Sequence, residues 1–132
     1  MTTEDQNHML LDLPMPIVTP RLIIAPITPE DAAEIHAAKE ETWDDLRIWM
    51  PWARELGTVD TTEIHIRQAC ARFVLREDLM VVARERGSNR PVVFTGLHRI
   101  DWQVRRMEIG YWCRKDAQGR GFVSESTNAL AR

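Results

Sequence analysis

The sequence lacks the features that mark membrane, secreted and nucleic-acid-binding proteins. No apolar run approaches the ~18 residues that a membrane-spanning helix needs. The opening MTTEDQNHMLLDLP is acidic and has no basic stretch followed by an apolar one, so it does not predict a signal peptide. The net charge of −3 offers no basic excess for nucleic acid or for an anionic membrane. We therefore expect a cytoplasmic protein with no membrane and no nucleic-acid partner, in which any anion site is local.

Cysteine is also scarce, and histidine shows no metal-ligand spacing. Cys70 and Cys113 fall in a helix-like and a strand-like run, which predicts two buried thiols in a reducing compartment. No disulfide and no metal site is expected. The histidines His36, His65 and His98 are interpreted as ordinary helix or strand residues.

Apolar periodicity predicts the order β-α-α-α-β-β-β-α for a single domain over residues 17–132. Residues 1–16 are polar with two prolines, and they are predicted to form a flexible lead-in. The predicted strands cover residues 19–27, 80–85, 92–100 and 104–113, and the predicted helices cover 28–41, 43–49, 60–77 and 122–132.

The last predicted strand has two different faces. Its alternation places Met107, Ile109, Tyr111 and Cys113 on an apolar face, and Glu108, Gly110 and Trp112 on the other.

The clearest candidate site is a glycine corner, RKDAQGRGFVSES at residues 114–126, between the last strand and the last helix. Gly119 and Gly121 flank Arg120 there, and glycine lets a backbone approach a ligand closely. The first N–H groups of a helix have no partner within it, and the helix dipole adds positive charge. A pyrophosphate-bearing ligand suits such a corner. Mobile positive charge is expected from Arg114, Lys115 and Arg120.

Three ligand classes compete for this corner. A P-loop requires a glycine, four residues and then Gly-Lys-Ser/Thr, and the chain has no such run. A dinucleotide site requires a third glycine, where Ser124 stands, and a further strand. An acyl-CoA site requires a strand end that offers backbone groups to pantetheine, followed by amides for the pyrophosphate.

The segments EIGYW (108–112) and QGRGFVSE (118–125) closely resemble the Gcn5-related N-acetyltransferase superfamily. The runs TPRLIIAPITPEDAAEI, LRIWMPWA and VVFTGLHRID resemble its opening strand and helix, its second-helix segment and its third strand. Together they extend the resemblance over residues 17–132, to the ribosomal-protein N-acetyltransferase (RimJ/RimL-like) branch. The fold that this implies is of the α/β class (α+β type), with a mixed, mostly antiparallel sheet and helices on both faces.

The resemblance also implies direct acetyl transfer to a primary amine, with acetyl-CoA as co-substrate and no metal. It leaves the acceptor open between a peptide N-terminus and a small amine. Backbone N–H groups from Gln118 onward would bind the pyrophosphate, and the main chain of Tyr111 to Cys113 would pair with pantetheine and polarise the thioester. The implied cofactor-binding residues are Tyr111, Trp112, Cys113, Arg114, Gln118, Gly119, Arg120, Gly121, Phe122, Val123 and Ser124.

The remaining candidate functional residues each have a structural alternative. Glu108 is the candidate general base, and it would equally serve as the ion-pair partner of an arginine on its own or another strand. Trp49, Met50 and Trp52 would wall the acceptor site, or would pack on the core. Glu125 is interpreted as an acid at a helix start.

The run TNALAR at residues 127–132 has no glycine or proline to end the helix, so we expect the chain to stop within it. Family members continue with further strands and a helix, which flank the acyl-CoA arm and carry the general acid. The alternative function is a non-catalytic CoA-binding or interaction module that forms a homodimer through an exposed sheet edge.

Overall fold

A computed structural model describes residues 13, 15–51, 53–101, 103–104 and 106–131. Within these ranges a five-stranded sheet carries three α-helices. The strands are β1 (Ile17–Val18), β2 (Leu22–Pro26), β3 (Leu79–Glu85), β4 (Pro91–Asp101) and β5 (Arg106–Cys113), and the helices are α1 (Ala32–Trp49), α2 (Val59–Val74) and α3 (Phe122–Leu130).

The strands follow the chain order β1-β2-β3-β4-β5, and each described pair is antiparallel. Val82 of β3 pairs with Phe94 of β4, which pairs in turn with Trp112 of β5. The predicted turn between β3 and β4 is present, with Gly87 and Asn89 at positive φ. The prediction of a mostly antiparallel sheet is confirmed.

The sheet is buried on both faces, because side chains alternate along each strand. Val81 points to one face, where it packs near Phe122 of α3. Val82 points to the other face, with Ile35 of α1 and Ile66 of α2. The predicted helices on both faces are therefore confirmed, and α3 lies alone on its side among the described helices.

The first helix is longer than the sequence predicts. Thr28 and Asp31 form a capping box at a 3₁₀ turn, and α1 then continues without a break to Trp49. The prediction of a separate helix over residues 43–49 is wrong. Thr42, at the supposed break, is buried and accepts a hydrogen bond from the N–H of Lys115 at 3.0 Å.

Helix α1 ends where the sequence predicts that it should. Met50 is extended, with φ −107° and ψ 119°, because the residue before Pro51 is disfavoured from the helical region. Among the described residues, no helix combines the length and apolar character needed to cross a membrane.

Candidate active site

A run of free backbone N–H groups lies at the start of α3. From Gly119 to Ser124 these groups donate no hydrogen bond within the part of the chain that the structure describes. The N–H of Glu125 is the first to bond within this segment, to the carbonyl of Gly121 at 3.1 Å. We call the N–H groups of residues 119–124 the amide run. The positive end of the α3 dipole lies at the same place, so the amide run is suited to an anion.

Two glycines give the amide run its shape. Gly119 has a φ of +78° and Gly121, the N-cap of α3, has a φ of +80°, a region that other residues rarely adopt. A Cβ at Gly121 would lie 3.3 Å from Nη2 of Arg21, whereas a Cβ at Gly119 would meet nothing within 4 Å. A glycine at residue 119 is therefore needed for the backbone conformation alone. A glycine at residue 121 is needed for the backbone conformation and for the close approach of Arg21.

The basic side chains of the glycine corner are paired with carboxylates, which the sequence does not predict. Each of them lies within 3.2 Å of a carboxylate on another element. Arg114 is largely buried against α1, while Arg120 stays half-exposed beside the amide run. The partners are Glu41 for Arg114 at 3.2 Å, Asp45 for Lys115 at 3.0 Å and Glu85 for Arg120 at 3.1 Å.

Arg21, just before β2, holds the corner from outside, and sequence reasoning missed it. Its Nε donates to Glu125 at 2.7 Å, and its Nη1 donates to the carbonyl of Arg120 at 2.7 Å. Its guanidinium lies 4.4 Å from the centre of the Phe122 ring. Arg21 and Glu125 are 104 residues apart, so no local pattern could pair them.

Glu125 is the helix-start acid that the sequence predicts, and it also anchors α3 to β2. Burial alone would raise the pKa of Glu125, but hydrogen bonds from Thr19 and Arg21 outweigh it and lower that pKa. A depressed carboxyl pKa contributes stability above the unfolded-state value, and the contribution is lost as the pH falls through the folded-state value.

The substitution Glu125→Gln should therefore reduce the free energy of unfolding at pH 7 by about 1–3 kcal/mol, the usual worth of hydrogen bonds to a charged group. The difference between wild type and variant should shrink as the pH falls below about 4, where the wild-type carboxyl also becomes neutral. Urea denaturation at pH 7 and pH 3 measures this, and an equal difference at both values would contradict it.

The outer edge of β5 is open among the described strands. Arg114 donates its N–H to the carbonyl of Val92 at 2.8 Å, which orients its main chain toward β4. The backbone N–H and C=O groups of successive residues point to opposite sides of an antiparallel strand. Those of Trp112 therefore also face β4, whereas those of Tyr111 and Cys113 face the open edge. The expectation that the main chain of Trp112 meets a ligand is therefore wrong.

Gln118 plays a different part from the one predicted. Its N–H donates to the carbonyl of Lys115 at 3.4 Å and is not in the amide run. Its side-chain amide donates to the carbonyl of Cys113 at 3.1 Å, and so joins the end of β5 to the glycine corner. A ligand on the β5 edge would meet this side chain first.

A cavity of about 860 Å³ opens beside the same strand, between the sheet and helices α1 and α2. The stacked rings of Phe94 and Trp112, with centroids 4.1 Å apart, form part of its wall. At roughly 3.4 Å per residue, β5 spans about 17 Å from Glu108 in this cavity to Cys113 at the corner. The open edge thus connects the cavity to the amide run.

Of the side chains predicted to wall an acceptor site, Met50 lines the cavity. Trp49 is 77% exposed and is not in the wall, and Trp52 lies outside the described residues. Glu108 lines the cavity with its side chain 61% exposed, and its Oε2 lies 3.4 Å from Nη1 of Arg99. The alternative in which Glu108 pairs with an arginine of another strand is thus present, and its role as general base stays a prediction.

The family model for the acetyltransferase (GNAT) domain matches residues 21–132. The chain belongs to the GNAT acetyltransferase family. This confirms the predicted superfamily, and the match includes the glycine corner, β5 and Arg21. No curated protein sequence matches the chain.

Solved structures agree with the GNAT fold. The RimL ribosomal L7/L12 alpha-N-protein acetyltransferase in complex with coenzyme A has a TM-score of 0.82 and 18% identity, over 88% of this chain and 64% of that one. The microcin C7 self-immunity acetyltransferase MccE, in complex with acetyl-CoA and AMP, has a TM-score of 0.82 and 18% identity, over 89% and 65%. An acetyltransferase from Salmonella typhimurium that modifies the N-terminal serine of ribosomal protein L7/L12 has a TM-score of 0.74 and 17% identity, over 87% and 64%.

At these identities the likeness shows the fold, and the chain spans about two thirds of the length of these GNAT structures. The RimJ/RimL-like branch within the family stays a prediction.

The thiols of this GNAT domain are not activated nucleophiles. Burial raises the pKa of Cys113, and burial likewise raises the pKa of Cys70. Both cysteines are free and only partly buried, whereas the sequence predicts buried thiols. Within the described ranges, no cluster of three or more His, Cys, Asp or Glu could hold a metal ion.

Proposed function

We propose that the chain is an acetyl-CoA-dependent N-acetyltransferase that transfers the acetyl group directly to a primary amine. The observation that carries this proposal is the amide run at one end of an open strand edge whose other end enters the cavity. Acetyl-CoA supplies the activated acyl group. The residues of the chain bind it, orient it and assist the transfer.

The pyrophosphate would lie at the amide run, where several backbone donors and the α3 dipole favour negative charge. Arg120 lies beside it with a half-exposed guanidinium, 4.8 Å from the centre of the Phe122 ring. Its pair with Glu85 would loosen as the guanidinium turns to a phosphate, because charged pairs at this exposure are weak.

The pantetheine arm would pair with the open edge of β5, through the main chain of Tyr111 and Cys113. An N–H on this edge, pointing at the thioester carbonyl, would stabilise the negative charge that develops there during acyl transfer. No described strand pairs with this edge, and the Gln118 side chain, which donates to the Cys113 carbonyl, would have to move aside for the arm.

The acceptor amine would enter from the cavity. Glu55 and Glu108 place carboxylates in its wall, where each would attract a nearby ammonium group, while Lys39, Arg72 and Arg99 place cations in the same wall. The apolar wall of Met50, Phe94 and Trp112 would hold the atoms next to the amine. A peptide N-terminus and a small amine both fit this chemistry, and Glu108 stays a predicted general base.

Calorimetry with acetyl-CoA tests binding, and a thiol-release assay over peptides and small amines tests transfer. We expect saturable binding, and thiol release that depends on the amine. No binding at millimolar acetyl-CoA would contradict the proposal. Binding without release for any amine would favour the non-catalytic CoA-binding module, and light scattering on the same sample tests whether it pairs through the β5 edge.

A further inference from the structure

The cavity contains an aspartate–histidine pair that sequence reasoning did not identify. His98 comes from β4, and Asp78 comes from the connection between α2 and β3. Nδ1 of His98 is in a short hydrogen bond with Oδ1 of Asp78, and Nε of Arg72 lies 3.7 Å from the other carboxylate oxygen. All three residues line the cavity.

This arrangement fixes which ring nitrogen carries the hydrogen. An ionised carboxylate can only accept a hydrogen bond, so Nδ1 of His98 is the donor to Asp78. In the neutral ring, Nε2 then keeps its lone pair and can accept a proton. The described residues include no hydrogen-bond partner for Nε2.

The ring lies against the backbone of β5, and a glycine makes this possible. A Cβ at Gly110 would be 3.1 Å from Cδ2 of His98 and 3.5 Å from Nε2. A side chain at residue 110 would therefore crowd the imidazole, which would have to give way slightly. Nε2 of His98 thus lies near Gly110, the residue before Tyr111, on the strand whose open edge would hold the thioester.

His98 is better enclosed than Glu108. The side chains of His98 and Asp78 are 29% and 21% exposed, whereas that of Glu108 is 61% exposed and opposes Arg99. An enclosed and oriented base is held in the geometry that proton transfer needs, and an exposed carboxylate is not.

We propose that His98 is the catalytic proton acceptor for the attacking amine and that Asp78 is its positioning residue. This inference rests on the proposed acetyltransferase function. The amine nitrogen forms a bond to the acyl carbon and gives one proton to Nε2, and the carbon–sulfur bond breaks with its electron pair leaving on sulfur. The proton then passes from the imidazolium to the thiolate or to water, so atoms and charge balance.

In this scheme His98 replaces Glu108 as the general base, and Glu108 has a separate part. In the register it lies directly opposite His98, at the mouth of the cavity. From there its carboxylate would attract the ammonium form of the acceptor. Asp78 and His98 would not be needed for that attraction. Other charged or titratable groups that line the cavity around His98 are Lys39, Glu55, His65, Arg72, Arg99 and Tyr111.

The test compares His98→Asn with Glu108→Gln in the full chain. An asparagine amide places an N–H at the position of Nδ1 and keeps the hydrogen bond to Asp78, but it has no basic nitrogen. We expect His98→Asn to lower kcat by about 10²–10⁴-fold, the usual contribution of general acid–base catalysis, with the Kd for acetyl-CoA unchanged. Glu108→Gln should raise KM for the amine and change kcat less.

The pH profile separates a base from a structural residue. Wild type should show an ascending limb in its pH–rate profile, as a general base produces, and His98→Asn should lose it. Asp78→Asn should lower kcat as well, because an amide at residue 78 can donate to Nδ1 and place the ring hydrogen on Nε2. Urea denaturation of each variant shows whether its fold is intact.

Several outcomes would overturn the inference. If His98→Asn keeps the wild-type kcat and ascending limb, His98 is not the base, while the proposed function stands. If wild type binds acetyl-CoA without transfer to any amine, the chain has no base step for His98 to perform. If wild type neither binds nor transfers, the proposed function fails and the inference fails with it.

Discussion

Replacing Ser124 by aspartate is expected to weaken acetyl-CoA binding by about two orders of magnitude. Ser124 is exposed in the first turn of α3 and contributes one N–H to the amide run. A carboxylate there would lie within about 5 Å of the pyrophosphate, and the repulsion at an effective dielectric constant of about 20 is roughly 3 kcal/mol. That energy corresponds to about 10²-fold in Kd.

The same substitution should not destabilise the fold. An acid in the first turn of a helix is favourable by about 0.3–1 kcal/mol, so the Tm should stay constant or rise. Ser124→Asn is the matched control, because asparagine has the shape of aspartate without its charge. S-acetylpantetheine, which lacks the pyrophosphate, should bind wild type and Ser124→Asp equally. If Ser124→Asp weakens the binding of both ligands equally, the proposal that the pyrophosphate lies at the amide run is contradicted.

Replacing Phe122 by alanine is expected to lower the free energy of unfolding by about 3–5 kcal/mol, as for other buried aromatic side chains. Phe122 is 1% exposed and packs under the sheet with Leu22, Ile24 and Val81. Domains of this size are stable by about 5–15 kcal/mol, so this is a large part of the total. Urea denaturation followed by tryptophan fluorescence measures the loss.

Phe122 also supports the glycine corner, because the guanidinium groups of Arg21 and Arg120 both lie over its ring. Phe122→Leu keeps most of the buried apolar contact and removes the ring. It should therefore lose much less stability than Phe122→Ala, while weakening acetyl-CoA binding as Arg120 becomes less ordered. A loss below about 1 kcal/mol for Phe122→Ala would contradict its place in the core.

Sequence periodicity predicts most of the fold because the signals are local. The capping box at Thr28, the turn at Gly87 and the alternation along β5 each depend on neighbours within a few residues. The prediction of a helix break near Thr42 is wrong for the same reason, because it depends on local signals alone. Its local pattern shows a polar residue, whereas its environment is set by Lys115, far away in the chain.

The site is predictable only where backbone chemistry determines it. Glycine spacing identifies the amide run, since positive φ values at Gly119 and Gly121 are a property of those residues. The ion pairs that fix Arg114 and Arg120, and the contact of Asp78 with His98, join elements that are distant in sequence. A single sequence carries no signal for such pairs.

In the proposed function, the amide run and the open edge of β5 together hold acetyl-CoA. The most direct measurement is a ¹H–¹⁵N NMR titration of the full chain with acetyl-CoA. We predict saturable shifts of the backbone amides of residues 119–124 and of Tyr111 and Cys113, with smaller changes in β1 and β2. Saturable shifts confined to other elements, or none at millimolar ligand, would contradict the claim.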